Sequence, residues 1–129
     1  VSKTQLHVRY FGRVVGLNRQ HSVSRKSRRP IYPNPAYRAF KKALWLAVRE
    51  AMGWCSPWPY PLHGQLKLEV RCWIHPKTDP ANLLKPIQDV LQEAGAIVND
   101  NQIQDSRAIR AGVSPGGQAS RLDLLLQEL

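Results

Sequence analysis

The chain has little cysteine: Cys55 and Cys72 are the only two in 129 residues. Two cysteines without CxxC spacing exclude a disulfide framework, a zinc ribbon and a dithiol redox pair. They fit a reducing, cytoplasmic setting. Long hydrophobic runs are missing too. The longest, Ala43 to Val48, falls far short of the roughly 20 apolar residues that a bilayer span needs. Val1 to Tyr10 has no apolar core, so no secretory signal is expected. There is no internal repeat and no low-complexity tract. With 43% hydrophobic and 22% charged residues, the composition is that of an ordinary globular chain. The length predicts a single domain over 1–129, able to bury a core without staples, alone or paired with a copy of itself.

Acid is absent from the first 49 residues, Glu50 being the first. Twelve Lys/Arg residues precede it, whereas after Arg49 seven Lys/Arg face nine Asp/Glu. The net charge of +10 is therefore concentrated in the N-terminal third. Such a one-sided cation favours a polyanionic partner, either nucleic acid or an anionic membrane surface. A membrane partner would call for an amphipathic basic helix. The densest cluster, Arg25-Lys26-Ser27-Arg28-Arg29, instead runs straight into Pro30 with no apolar stripe. It reads as a loop, and Lys, Arg and Ser in a loop suit phosphate oxygens. Nucleic acid is the expected partner, and a solvated loop without a partner is the plain alternative. The basic loop is placed at about 16–33. Arg13, Arg19, Arg25, Lys26, Arg28, Arg29 and, farther on, Lys77 are the candidate phosphate contacts.

Gln5 to Arg13 alternates, with Leu6, Val8 and Tyr10 on one face, and predicts a strand. Asn34-Pro35 opens a helix as cap and first residue. Tyr37, Phe40, Leu44, Val48 and Met52 give it a buried face, and Gly53 ends it. The proline-rich stretch 56–61 is a rigid connector. Leu66, Leu68, Val70, Cys72 and Ile74 mark the clearest strand, which stops at Pro76. Asp79-Pro80 opens a second helix, with Leu83, Leu84, Ile87, Val90 and Leu91 on its apolar side, a kink expected at Pro86 and a stop at Gly95. Strands over Arg107–Val113 and Arg121–Glu128 follow, with the turn between them at Gly112–Gly117. The order β-α-β-α-β-β predicts an α+β fold: two main helices on a small mixed or antiparallel sheet of about four strands. Of the tryptophans, Trp45, Trp54 and Trp58 suit packing, and Trp73 stays open to another role beside Arg71 and His75.

The second helix carries the candidate chemistry. Asn82, Lys85 and Asp89 recur at three and four residues and share a polar face, Asp79 stands at the helix start, and Asn99-Asp100-Asn101 follows the helix. A helix of about 15 residues is roughly 22 Å long. A three- or four-residue return cannot span that length. Asp100 therefore meets Asp79 only if the helix bends, or if a loop or second subunit brings it there. Carboxylates gathered near a polyanion suit Mg²⁺, a hard ion that prefers oxygen. The bound ion can polarise a phosphodiester and acidify water, and Lys85 can stabilise the added charge. Each element also has a structural reading: Asp79 as a cap, Lys85 with Asp89 as an i,i+4 pair, and Asn99-Asp100-Asn101 as a turn.

The run from Lys77 to Gly95, KTDPANLLKPIQDVLQEAG, followed by Asn99-Asp100-Asn101-Gln102-Ile103, resembles the signature of RusA-type Holliday junction resolvases. The motifs cover about a quarter of the chain. Asn18 in the basic loop and a tyrosine before the first helix, Tyr37, agree more loosely. The resemblance implies a homodimeric α+β endonuclease, common in phages and prophages and acting in the cytoplasm of a bacterial or phage-infected cell. Such enzymes use Mg²⁺, with Mn²⁺ as a substitute, to resolve four-way DNA junctions by paired nicks. It places Asp79 and Asp100 as metal-binding and catalytic residues, Asp89 as a further metal ligand, Lys85 as the catalytic lysine and Asn82 in support. Two positions depart from the pattern: Ala81 stands where a second Asp is usual, and Asn99 where an acid is common. A natural subfamily using Asp89 or Asp105, a relative that binds without cutting, and an engineered inactive variant are all compatible with these changes.

Overall fold

The computed structural model describes residues 4–16, 21–22, 32–53 and 59–129. Asn18, Arg19, Arg25, Lys26, Arg28, Arg29, Trp54 and Trp58 lie outside the described residues. In chain order the elements are β1 (Gln5–Phe11), β2 (His21–Ser22), β3 (Tyr32–Pro33), α1 (Pro35–Met52), β4 (Leu66–Ile74), α2 (Leu84–Glu93), β5 (Ile103–Val113) and β6 (Arg121–Glu128). β2 and β3 form a two-stranded antiparallel ribbon within the expected basic loop. The other four strands make one mixed sheet in the order β1-β6-β4-β5. The fold is α+β, as the pattern of elements predicts.

The local chemistry explains each element. Asn34 caps α1, its Oδ1 accepting from the Ala36 N–H at 2.8 Å, and Pro35 takes the first turn, where no amide donor is needed. Gly53 ends the helix at φ 88°, a conformation that a Cβ would oppose. Tyr37, Phe40, Leu44 and Val48 are buried along one stripe of α1. Tyr37 thus sits in the first turn of the helix rather than before it. Leu83, Ile87, Val90 and Leu91 form the matching stripe at the start of and along α2. Alternate residues of β1, β4 and β6 complete a single core with both helices. Burying each such aliphatic side chain contributes roughly 1.5–3 kcal/mol.

β4 and β5 run parallel, and α2 lies in the crossover that parallel pairing demands. β5 begins at Ile103, four residues ahead of the expected start. Gly112 belongs to β5 and not to the following turn. An added Cβ there would stand 2.5 Å from Trp73 Cδ1, so the indole occupies the space that a side chain would need. β6 is inserted between β1 and β4, so β5 and β6 are not neighbours. The second helix is not one uniform rod. Pro80–Leu83 winds as a 3₁₀ turn and α2 proper begins at Leu84. Pro86 falls in the first turn of α2, where its missing N–H leaves no helix bond unmade. The change in winding lies ahead of Pro86, between Leu83 and Leu84.

Candidate active site

The C-terminal end of β4 hands the chain to Asp79 through a tight turn. The Thr78 N–H donates to the His75 carbonyl at 2.9 Å, and the Lys77 N–H donates to His75 Nδ1 at 3.1 Å. With Nδ1 accepting, the neutral His75 ring carries its proton on Nε2. Asp79 then caps the 3₁₀ turn, its Oδ1 accepting from the Ala81 N–H at 3.0 Å. A cavity of about 460 Å³ opens here, lined by Asp79, Asn82, His75, Lys77 and Arg13. Asn34 of the α1 cap, Gly116 and Ser120 close the remaining walls. The cavity therefore gathers one carboxylate, two amides and two cations from segments distant in sequence. Arg13 is placed by β1 and its exit: the Tyr10 hydroxyl donates to the Arg13 carbonyl at 2.6 Å.

A second cluster lies along α2. Lys85 Nζ is 3.0 Å from Asp89 Oδ1 and 3.1 Å from Asp100 Oδ2. Hydrogen bonds to Asp89 and Asp100, with their negative charge, raise the Lys85 pKa above its ordinary value, so it stays protonated at neutral pH. Asp100 reaches α2 because its segment is held from two sides. Its N–H donates to Gln92 Oε1 at 3.2 Å. Gln102 fixes the turn, its Oε1 accepting from the Val98 and Asn99 N–H groups and its Nε2 donating to the Leu62 and Gly64 carbonyls. Asn99 caps the same turn by accepting from the Asn101 N–H at 2.9 Å. The return segment thus brings Asp100 to Lys85 and Asp89. Asp79 shares no hydrogen bond or ion pair with this cluster among the described residues.

Asp105 lies on β5 and pairs with Arg107 at 3.3 Å, with no hydrogen bond or ion pair to either cluster among the described residues. Trp73 is half-buried beneath the Arg121 guanidinium, 4.5 Å from the ring, and the same guanidinium lies 5.3 Å from the Phe11 ring. Arg121 also pairs with Asp123 at 2.9 Å. Tyr37 is buried with a hydroxyl that has no hydrogen-bond partner. Burial first, and then the charges of Asp89 and Glu93, push its pKa up. Two site-shaping residues escaped the reading of the sequence. Gln102 had a legible signal, since Asn99-x-x-Gln102 is a capping-box pattern. Arg110 had none.

Among the described residues no three of His, Cys, Asp and Glu stand close enough to hold a metal ion between them. The donors on offer are hard oxygens: the Asp79 oxygen that the cap leaves over, and the Asp89 and Asp100 oxygens not bound to Lys85. This set fits a hard divalent ion held by one or two carboxylates and completed by water and substrate phosphates. It does not make a three-carboxylate cage.

Fold and site together define a class: a small α+β protein whose cavity at the end of a central strand joins one carboxylate to two cations. The family of Endodeoxyribonuclease RusA matches residues 12–116, most of the chain, and the protein belongs to that family. No curated protein matches the chain. Family membership makes it an endodeoxyribonuclease-family protein of the junction-resolving type, and such nucleases are in general dependent on divalent metal. Among the described residues, no helix is long and apolar enough to cross a membrane.

Proposed function

We propose that this chain is a divalent-metal-dependent endonuclease that binds four-way DNA junctions as a homodimer and resolves them by paired nicks. The observation that carries the reading is the cavity that Asp79 and Asn82 line together with Arg13 and Lys77. A phosphodiester entering it meets two cations and a carboxylate in one cavity. A divalent ion held by Asp79, with Asp100 or Asp89 as a second donor once bound DNA draws the two clusters together, would polarise the phosphodiester and lower the pKa of the attacking water. Lys85 is held protonated and provides a fixed positive charge for the negative charge that develops on the phosphate. Asn82 offers a neutral amide beside Asp79. The basic loop, with Asn18, Arg19, Arg25, Lys26, Arg28 and Arg29, supplies further phosphate contacts and much of the affinity. A two-fold dimer suits a junction of near two-fold symmetry.

One observation favours a second reading, a junction-binding relative that does not cut. Ala81 gives the site no carboxylate, while Lys85 already engages both Asp89 and Asp100. A synthetic four-way junction and a linear duplex of the same sequence separate the two readings. Each is incubated with the protein in Mg²⁺, Mn²⁺ or EDTA, with Asp79→Asn in parallel. Paired, metal-dependent nicks in the junction alone support the nuclease. Tight junction binding without nicks in either metal supports the non-cutting relative.

A further inference from the structure

The segment from His75 to Thr78 leaves the β4–β5 ladder just ahead of Asp79. The last ladder-like bond is from the Ser114 N–H to the Ile74 carbonyl, at 3.0 Å. Beyond it, three carbonyls of the segment accept from one side chain. Arg110, on β5 opposite Cys72, donates through Nη1 to the His75 carbonyl at 3.2 Å. Through Nη2 it donates to the Pro76 carbonyl at 3.4 Å and the Thr78 carbonyl at 2.5 Å. No other side chain among the described residues bonds to those carbonyls. The turn's own bonds, Thr78 to His75 and Lys77 to His75, set its local shape but do not fix it to the sheet. Arg110 is what joins this turn to β5.

We propose that Arg110 is a positioning residue for cleavage: its planar guanidinium fixes the His75–Thr78 turn on β5 and thereby sets where Asp79 faces the cavity. The inference rests on the nuclease reading above. A guanidinium suits the task because it presents several N–H donors in one rigid fork, whereas a lysine ammonium acts as a point charge. Cleavage is sensitive to such placement, because a shift of about 1 Å can cost on the order of 100-fold in rate. Arg110 lines no part of the cavity, so substrate binding should not depend on it.

The test compares the wild type with Arg110→Ala and Arg110→Lys in two readouts. The first needs neither metal nor DNA: amide hydrogen exchange, resolved by residue. In Arg110→Ala the Thr78 and Ala81 amides should exchange about tenfold faster or more, while Val70 and Leu124 in the sheet stay as protected as before. The second is single-turnover cleavage against junction Kd. Arg110→Ala should lose about 100-fold in cleavage rate with Kd within about twofold, and Arg110→Lys, which keeps a fold-stabilising cation, should fall between. Guanidinium at a sub-denaturing concentration should restore part of the Arg110→Ala rate but none of that of Asp79→Asn. Unchanged exchange at Thr78 and Ala81 would overturn the inference. So would equal loss of binding and cleavage together with faster exchange across the sheet, which would mark a general loss of stability. If the wild type fails to cut junctions while the local exchange effect is present, the nuclease reading falls and the anchoring of the Asp79 turn stands.

Discussion

Asp79 and Asp100 are the same residue type at the same kind of place, the start of a short 3₁₀ turn, yet they are held in opposite ways. Asp79 does its own capping, with one oxygen committed to the Ala81 N–H and the carboxylate facing a cavity. Asp100 has that task done for it by Asn99, and its carboxylate turns instead to Lys85. The comparison recasts the two departures from the family pattern. Asn at position 99 still caps, since Asn and Asp are about equal in that role, and the return segment keeps its shape. Ala81 has no such compensation: its amide serves the cap, and its methyl offers no oxygen. Of the two changes, position 81 is the one with no local structural substitute.

The sharpest way to break the comparison is at Asp79. Asp79→Asn keeps an oxygen for the Ala81 amide but removes the charge. Cleavage should fall on the order of 10³-fold with junction binding intact. Asp79→Ala removes the cap as well and should add a stability loss of about 1 kcal/mol, readable as a lower Tm. If Asp79→Asn cuts at the wild-type rate, Asp79 is a cap and nothing more. At the other station, Asp100→Asn should reduce cleavage by roughly 100-fold with little change in Tm, because its pair with Lys85 is half exposed and such pairs contribute about 0–1 kcal/mol. An equal loss of Tm and activity would show that Asp100 holds the fold and has no part in the chemistry.

Ala81→Asp tests the same comparison by addition. Position 81 is exposed and lies in the first turn of the segment, where a negative charge is tolerated. A second carboxylate beside Asp79 should lower the Mg²⁺ concentration for half-maximal cleavage by about tenfold. A titration of rate against Mg²⁺ reads it directly. An unchanged midpoint would place the ion away from Asp79.

The two stations also differ in how far the sequence reveals them. Asp79-Pro80 announces its cap, because an N-cap and the proline after it interact over a few residues. The same holds for Asn34-Pro35 and for the period-two strands β4 and β6, whose alternate residues are buried. β5 is harder to read, since it is an edge strand with Gln104, Asp105 and Ser106 in its first half and no fully buried residue to mark a face. Asp100 is harder still. Rod geometry predicts that a short return cannot reach the helix start, and it does not reach Asp79 by any bond among the described residues. What it reaches is Lys85, through a long lysine side chain near the start of α2. That contact depends on Gln92 and Gln102 acting over distances no local pattern records.

The smallest expected effect separates charge from shape at the Lys85 station. Lys85 has a folded-state pKa above the ordinary value of 10.5, with hydrogen bonds to Asp89 and Asp100 as the leading causes. The folded state therefore holds this proton more tightly than the unfolded chain does. Stability from the pairing is fully present below pH 10.5 and is lost as pH rises through the higher folded-state value. Lys85 is about half exposed, 51% for its side chain, so solvent screens the gain to about 1 kcal/mol at most. Lys85→Met should therefore lower Tm by a few degrees or less, by an amount that stays constant between neutral pH and pH 9. The difference should then shrink in alkali, once the wild-type lysine also loses its proton. A Tm difference that persists unchanged above that range would assign the effect to packing of the lysine stem, and the two carboxylates would then be held by something other than its charge.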